Sequence, residues 1–299
     1  MTRFSITEAL SYSFSMYRRH FLSVLAAAAC MAFGMWFCGA MPEFISHKLV
    51  TPGMSEIAAL VQQQKQLGPE KTHELLRALF DNVSFTQLLL MVIVYILSWF
   101  LYAFLCLGFV RVFLHLKDHQ RVDISQMFHG SVQQVVRFSG AVLLIFCRIG
   151  GWLFVGALGV IGVTAVTKKL LFLSQLSGLF VIALVIAGGA FLVYWYVPYT
   201  FLPFVLVDQP TLGVRASLKQ CQFLCRANRG KVVLALAAMS SILIPLVLIF
   251  IVPAMILALR VGIGTTWAGA LGQAACILVM YPPFFLFNSF LYRKLANKE

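Results

Sequence analysis

Six long apolar runs follow one another along the chain, separated by shorter polar segments. They cover residues 21–40, 86–110, 138–163, 176–197, 232–258 and 267–290. Each is close to the ~20 residues that an α-helix needs to cross the hydrocarbon core of a bilayer. The strict alternation that marks membrane β-strands is absent from them. The pattern therefore predicts an all-α integral membrane protein with six transmembrane helices, forming a single membrane domain over residues 1–299.

The composition agrees with this pattern and indicates which kind of partner the basic residues favour. Hydrophobic residues make up 61% of the chain and charged residues 11%, against about 25% charged in a soluble domain. The net charge is +13, but the basic residues lie in the segments between apolar runs. This arrangement favours attraction to anionic lipid head groups over nucleic-acid binding. The first run is longer than the core of a signal peptide, so it predicts an uncleaved span.

The distribution of lysine and arginine predicts the orientation. With six spans, one side holds the N-terminus, 111–137, 198–231 and the C-terminal tail, with 15 basic residues. The other side holds 41–85, 164–175 and 259–266, with 7. Because cytoplasmic loops carry the excess of basic residues, both termini are expected in the cytoplasm. Residues 41–85 then form an extracytoplasmic helical loop.

Three of the cytoplasmic segments resemble one another. Each is an amphipathic helix that leads into a span, and a shift of 118 positions brings Ser5 onto Asp123 and Arg19 onto Arg137. Ser5 and Asp123 each begin a capping-box pattern, and Asp208 or Thr211 is expected to cap the third helix. The chain is thus predicted to hold a threefold repeat, with three interfacial amphipathic helices. The repeat units are residues 1–115, 116–197 and 198–299.

The third amphipathic helix, at about 211–230, carries two parallel stripes. Its basic stripe is predicted to lie at head-group level, and its apolar stripe to face the bilayer. Two interpretations stay open, general positive-inside anchoring and a dedicated site for anionic head groups. The basic stripe comprises Arg215, Lys219, Arg226 and Arg229, with Gln222 among them; the apolar stripe comprises Val214, Leu218, Cys221 and Cys225.

Arg148 is the one basic residue inside a predicted span. It lies ten residues past the start of 138–163, or about 15 Å into the bilayer at 1.5 Å per residue. A charge at that depth is expected to face the bundle interior or a wet cavity. Its candidate partners are Asp208, an anionic ligand, or carbonyl groups freed by prolines. Gln273 and Asn288 are further candidate donors in the same polar cavity.

Prolines are expected to interrupt three spans, because each removes a backbone donor and frees a carbonyl. The glycines after Arg148 are expected to let neighbouring helices approach closely. Pro198 and Pro203 should end the fourth span, Pro245 and Pro253 break the fifth, and Pro282 and Pro283 break the sixth; the glycines are Gly150, Gly151, Gly156, Gly159 and Gly162.

Sequence signatures of catalysis are missing. The chain contains no Walker A, GxSxG or GxGxxG sequence. His115 and His119 have the spacing of metal ligands on a helix, but a solvated helix end is the favoured interpretation. We therefore predict a non-enzymatic protein with no catalytic residue, metal or cofactor.

Short motifs at the helix starts resemble those of a bacterial family. Ala9-Leu10-Ser11-Tyr12-Ser13 precedes Arg18-Arg19, and Asp208 precedes Ser217-Leu218 and Asn228-Arg229-Gly230. This resembles the YciC-like multi-pass proteins and relatives of the membrane domain attached to some glycerophosphodiester phosphodiesterases. The resemblance implies a protein of the bacterial cytoplasmic (inner) membrane, with a role in envelope or lipid homeostasis. The phosphodiesterase catalytic domain is absent, so that activity is not implied.

Two functions from different classes follow from these features. The first is transport or handling of a lipid or another anionic amphiphile, with anionic membrane lipids as partners. The alternative is a structural or assembly component that binds a partner membrane protein or a second copy of the chain. A polar cavity that reaches Arg148 would favour the first, and a fully packed bundle the second.

Overall fold

The computed structural model describes residues 5–39, 42, 85–169, 177–260 and 265–296. These ranges are helical, and no strand occurs in them. Most of the predicted loop 41–85 and the last residues of the chain lie outside this part. The helices are α1 (Ile6–Arg19), α2 (Phe21–Gly39), α3 (Phe85–His119), α4 (Val132–Lys169), α5 (Ser177–Tyr196), α6 (Leu202–Asp208), α7 (Val214–Cys225), α8 (Arg229–Arg260) and α9 (Thr265–Leu295). Short 3-10 helices at Ile124–Phe128 and Val197–Phe201 precede α4 and α6.

Several helices are long and apolar enough to cross a membrane, as the hydropathy pattern predicts. Within the described residues, four segments qualify: Phe21–Gly39, Leu89–His119, Val132–Gly159 and Ala187–Asp208. The pair Val214–Cys225 and Arg229–Pro245 gives a fifth if the two are counted as one span, bent by 88°. The sixth predicted run, 267–290, falls within the single helix α9.

The best-packed part of the bundle lies at the ends of α3, α6 and α9, together with α7. Phe204 contacts both Phe285 and Tyr292, with ring centroids 6.2 Å and 5.8 Å apart. Phe109 meets Phe285 edge to face at 5.1 Å. Aromatic pairs at these separations stabilise a core beyond the area they bury.

Helix α1 has the apolar face that its sequence pattern predicts. This face packs against the protein and not against the bilayer surface. Tyr12 lies 4.9 Å from Phe290, and Glu8 pairs with Lys294 at 3.6 Å. Since higher numbers on α1 meet lower numbers on α9, the two helices run antiparallel. α1 therefore packs along the end of α9.

The three predicted junctions between an amphipathic helix and a span differ from one another. α1 and α2 are separated by a turn at His20, whereas α7 and α8 meet at 88°. The second junction is continuous, because α4 runs unbroken from Val132 to Lys169 and no separate amphipathic helix precedes it. The threefold repeat stays a prediction.

The expected helix caps are found at one start of three. Asp123 accepts a hydrogen bond from the backbone N–H of Ser125 at 3.0 Å at the start of the 3-10 helix. Gln126 donates to the Asp123 carboxylate and accepts no described backbone N–H, so the predicted capping box is half formed. Ser5 makes no cap bond to the backbone. The expectation that Asp208 or Thr211 caps α7 is wrong, since the N-cap is Gly213 without a side-chain bond.

The proline predictions are wrong at the fifth and sixth spans, and at the fourth the prolines end the α-helix but not the candidate span, which continues to Asp208. Pro198 and Pro203 follow the end of α5 and begin the next two helical segments. α8 continues through Pro245 and Pro253, and α9 through Pro282 and Pro283. A long helix tolerates the loss of one backbone bond where neighbouring turns hold its course.

Gly108 gives a direct test of this packing. A β-carbon at this position would overlap the backbone carbonyl of Met127, which a side-chain rotation cannot relieve. We expect Gly108→Ala to lower the thermal unfolding temperature measured by circular dichroism in detergent.

Gly150→Ala is the matched control, because no atom from another described part of the chain lies within 4 Å of a β-carbon there. In a helix interior, alanine is otherwise favoured over glycine by about 0.5–1 kcal/mol. Equal unfolding temperatures for the two variants would show that α3 does not pack on the Ile124–Phe128 segment.

Candidate functional site

A cluster of charged side chains joins the ends of three helices. The guanidinium of Arg293 on α9 donates from Nε to Asp118 Oδ1 at 3.0 Å, and Nη2 donates to the other oxygen of that carboxylate. Its Nη1 donates to Asp208 Oδ1 at 3.0 Å. Tyr292 completes the cluster by donating to Asp208 Oδ2 at 2.8 Å. One guanidinium thus holds two carboxylates in the fork geometry that gives arginine its strongest pairs.

Helix dipoles increase the need for a positive charge in this cluster, compared with a simple ion pair. Asp118 and Asp208 lie in the last turn of α3 and α6, where the helix dipole is negative and a carboxylate is unfavourable. Arg293 supplies the positive charge that offsets both. The sequence-based suggestion that Asp208 serves Arg148 is therefore wrong, since Asp208 is held by Arg293 and Tyr292.

Sequence reasoning missed this cluster, although a signal for it exists. A leucine stands two positions before each charged member, and Leu116, Leu206 and Leu291 are all fully buried. The pattern Leu-x-charged residue thus ends α3, α6 and α9.

A second group of charges surrounds α7. The polar stripe predicted for this helix is present, with exposed Arg215, Lys219 and Arg226. The predicted direction of the apolar stripe is wrong, because Leu218, Cys221 and Cys225 are buried in the protein core. Hydrophobicity alone does not separate a face that meets lipid from one that meets protein.

Arg148 lies at the surface of the bundle, not in its interior as predicted. Its residue is exposed, and Nη1 donates to the hydroxyl of Tyr199 at 3.3 Å. Gln222 on the polar side of α7 donates to the same hydroxyl at 2.5 Å. Tyr199 thus connects Arg148 to the basic stripe of α7.

Arg229 lies against the aromatic end of α5. Its guanidinium carbon is 4.9 Å from the ring centre of Trp195 and 5.3 Å from that of Tyr194, within the range of a cation–π interaction. Its Nε is buried without a hydrogen-bond partner among the described residues.

The packing of α4 on α5 places Arg148 near the end of α5 that Arg229 contacts. The rings of Trp152 and Phe191 lie 5.7 Å apart, and a short connection makes the two helices antiparallel. One turn back along α4 from Trp152 is Arg148, and one turn on along α5 from Phe191 is Trp195. Arg148 and Arg229 therefore flank one end of α5.

No described carboxylate neutralises these basic residues. The acidic residues in the described ranges are Glu8, Asp118, Asp123 and Asp208. Glu8 pairs with Lys294, and Arg293 holds the two aspartates. Hydrogen bonds from Ser125 and Gln126 engage Asp123 and hold the pKa of its carboxyl below the ordinary value. Within the described part of the chain, the surface around α7 is basic without an acidic partner.

Asn288 is not brought to this surface. Asn288 is 2% exposed, and its Oδ1 has no hydrogen-bond partner among the described residues. The side chain of Gln273 lies outside the described part. The rings of His115 and His119 stack at 4.3 Å, and the described residues contain no group of three potential metal ligands.

Comparisons with protein-family models, with curated proteins and with solved structures find no match for this chain. The class that the fold defines is therefore the broad one, an all-helical protein with several helices long and apolar enough to span a membrane.

Removal of Arg293 tests the charged cluster. We expect Arg293→Met to lower the free energy of unfolding by about 2 kcal/mol. A fully buried pair would lose 3–5 kcal/mol, but the side chain of Asp118 is 37% exposed and screened by solvent. Thermal unfolding in detergent measures the loss.

The matched control adds Asp118→Asn and Asp208→Asn to Arg293→Met. If the loss arises from uncompensated carboxylates at helix ends, this triple variant recovers most of the stability. A triple variant no more stable than Arg293→Met would contradict the electrostatic explanation.

Proposed function

We propose that the protein is a non-enzymatic, six-span protein of the bacterial inner membrane that binds and handles anionic lipids at the cytoplasmic leaflet. The observation that carries this proposal is the basic surface around α7. It comprises Arg148, Arg215, Lys219, Arg226 and Arg229, and no described carboxylate pairs with it. Membership of the YciC-like group stays part of the proposal, resting on its short motifs.

The position of Arg148 supports a membrane frame that differs from the hydropathy run 138–163. Residues 149–167 are uncharged and lie between Arg148 and the lysines that end α4. Helix α5, its antiparallel neighbour, has 20 residues, the length of one span. We place the two helices across the bilayer over these ranges, with Arg148 among the cytoplasmic head groups.

Aromatic residues support the placement of this end of α5 at the level of the cytoplasmic head groups. Tyr194 and Trp195 end α5 beside Arg229, and these residue types concentrate at membrane–water interfaces. The bend of 88° between α7 and α8 lets α7 follow the membrane surface where α8 crosses the bilayer. In this frame, the Arg293 cluster lies on the cytoplasmic side of the basic surface.

Physical chemistry connects this surface to anionic lipid. Each lysine or arginine close to an anionic leaflet contributes about 1 kcal/mol of attraction. Repulsion among neighbouring basic residues, which the protein leaves unbalanced, adds to the preference for a negatively charged ligand. Both termini then lie in the cytoplasm, in agreement with the excess of basic residues on that side.

Charge-matched variants test the proposal. We expect Arg215→Gln, Lys219→Gln and Arg226→Gln together to lower the phosphatidylglycerol and cardiolipin that copurify with the protein. The loss should be larger at low than at high ionic strength, because salt screens exposed charges. Mass spectrometry of the bound lipids measures it.

The control is Arg18→Gln, Arg19→Gln and Arg121→Gln, which removes the same charge from exposed residues away from α7. Equal lipid loss in the two triple variants would mean that net charge alone attracts lipid. That result would contradict a lipid surface at α7.

The alternative function, a structural component of a membrane complex, has one observation in its favour. Among the described residues, no atom of another helix lies within 4 Å of a β-carbon position at Gly150, Gly151, Gly156 and Gly159. Small residues of this kind allow a helix of another protein to approach closely. Crosslinking from this surface to a second membrane protein would favour the alternative.

A further inference from the structure

We propose that Arg148 and Arg229, with Tyr199 as a positioning residue, bind the phosphate group of an anionic lipid at the end of α5. The inference rests on the proposed function and names the site within it. It goes further by separating a specific site from the general attraction of the basic stripe.

The two guanidinium groups converge on one turn of the chain. Arg229 lies on the ring of Trp195, 4.9 Å from its centre, and Arg148 reaches Tyr199, one turn further on. The contact of Trp152 with Phe191 independently places Arg148 level with Trp195. These contacts come from α4 and from α8, so both guanidinium groups lie at the same end of α5.

An anion supplies what the described protein lacks at this place. Two guanidinium groups around one helix end repel each other, and no described carboxylate lies with them. Phosphate oxygens neutralise such a pair, since they accept paired N–H donors from a guanidinium.

The surroundings favour a phosphate that belongs to a lipid over free phosphate. Trp152, one turn from Arg148 toward the proposed bilayer core, is 53% exposed. An acyl chain covers such surface, whereas inorganic phosphate leaves it in contact with water. The shared chemistry is a phosphate oxygen, and the two sources are separated by the experiment below.

Tyr199 determines where the Arg148 guanidinium lies. It is a buried residue, and its hydroxyl accepts from Arg148 while also contacting Gln222 of α7. Tyr199→Phe removes the hydroxyl and keeps the ring. Its effect on lipid preference should be smaller than that of removing Arg148, because the charge remains.

Trp195 serves as the reporter. In a protein with Trp36, Trp99, Trp152 and Trp267 replaced by Phe, its fluorescence is quenched by neighbouring brominated lipid. The protein is placed in phosphatidylcholine vesicles with increasing fractions of brominated phosphatidylglycerol, and separately of brominated phosphatidylcholine. The ratio of the two quenching constants within one variant gives the preference for the anionic lipid, whatever the intrinsic brightness of Trp195.

We expect the preference to fall about fivefold in Arg148→Gln and about fivefold in Arg229→Gln, the effect of losing one basic contact. Arg121→Gln, in the turn after α3, should leave it unchanged. The exposed Arg148 carries little of the core, so this variant remains informative if Arg229→Gln fails to fold. Added inorganic phosphate, with ionic strength held constant by chloride, should not displace the brominated lipid.

An unchanged preference in Arg148→Gln and in a folded Arg229→Gln would overturn the site. If the α7 triple variant still loses anionic lipid in that case, the proposed function stands and only this site is lost. Displacement by inorganic phosphate would overturn the assignment to a lipid.

Discussion

The guanidinium of Arg293 is the interaction on which the described architecture depends. It brings the ends of α3 and α6 to α9 by binding a carboxylate from each. These carboxylates lie where helix dipoles disfavour negative charge, so the ends of the helices would repel one another without a shared cation. The leucines two positions before each charged residue are buried.

The same interaction determines the charge of the neighbouring surface. Arg293 engages Asp118 and Asp208, and Glu8 is paired with Lys294. The arginines and lysine around α7 are left without a described acidic partner. A bundle that uses its acidic groups to join helices thus presents a basic surface, which anionic head groups are suited to neutralise. The proposed function follows from this division of the charges.

Hydropathy predicts the class of the protein because the length and composition of a helix decide whether it can cross a bilayer. It also predicts the basic stripe of α7 and the end of α5 at Pro198. It fails for the apolar stripe of α7, since lipid and protein interiors select the same residue types. Arg148 is exposed beside Tyr199, and its depth in the bilayer belongs to the proposed function.

Long-range partners explain the other failures. Arg293 bonds to residues 175 and 85 positions away, and no local pattern specifies such pairs. Asp208 was accessible to sequence reasoning as a functional residue, but its partner was not. α8 and α9 likewise continue through their prolines because the neighbouring helical turns hold them, and the proline residues alone do not predict this.

The depth of Arg148 is the central claim, and the native cysteine beside it allows a direct measurement. Cys147 is exposed, so a protein that keeps only this cysteine can be compared with one that carries Gly159→Cys as its only cysteine. A membrane-impermeant maleimide should label position 147 in inverted vesicles, with the cytoplasmic face outward, and leave position 159 unlabelled. Protection of position 147 in both vesicle orientations, equal to that of position 159, would place Arg148 inside the bilayer and contradict the account.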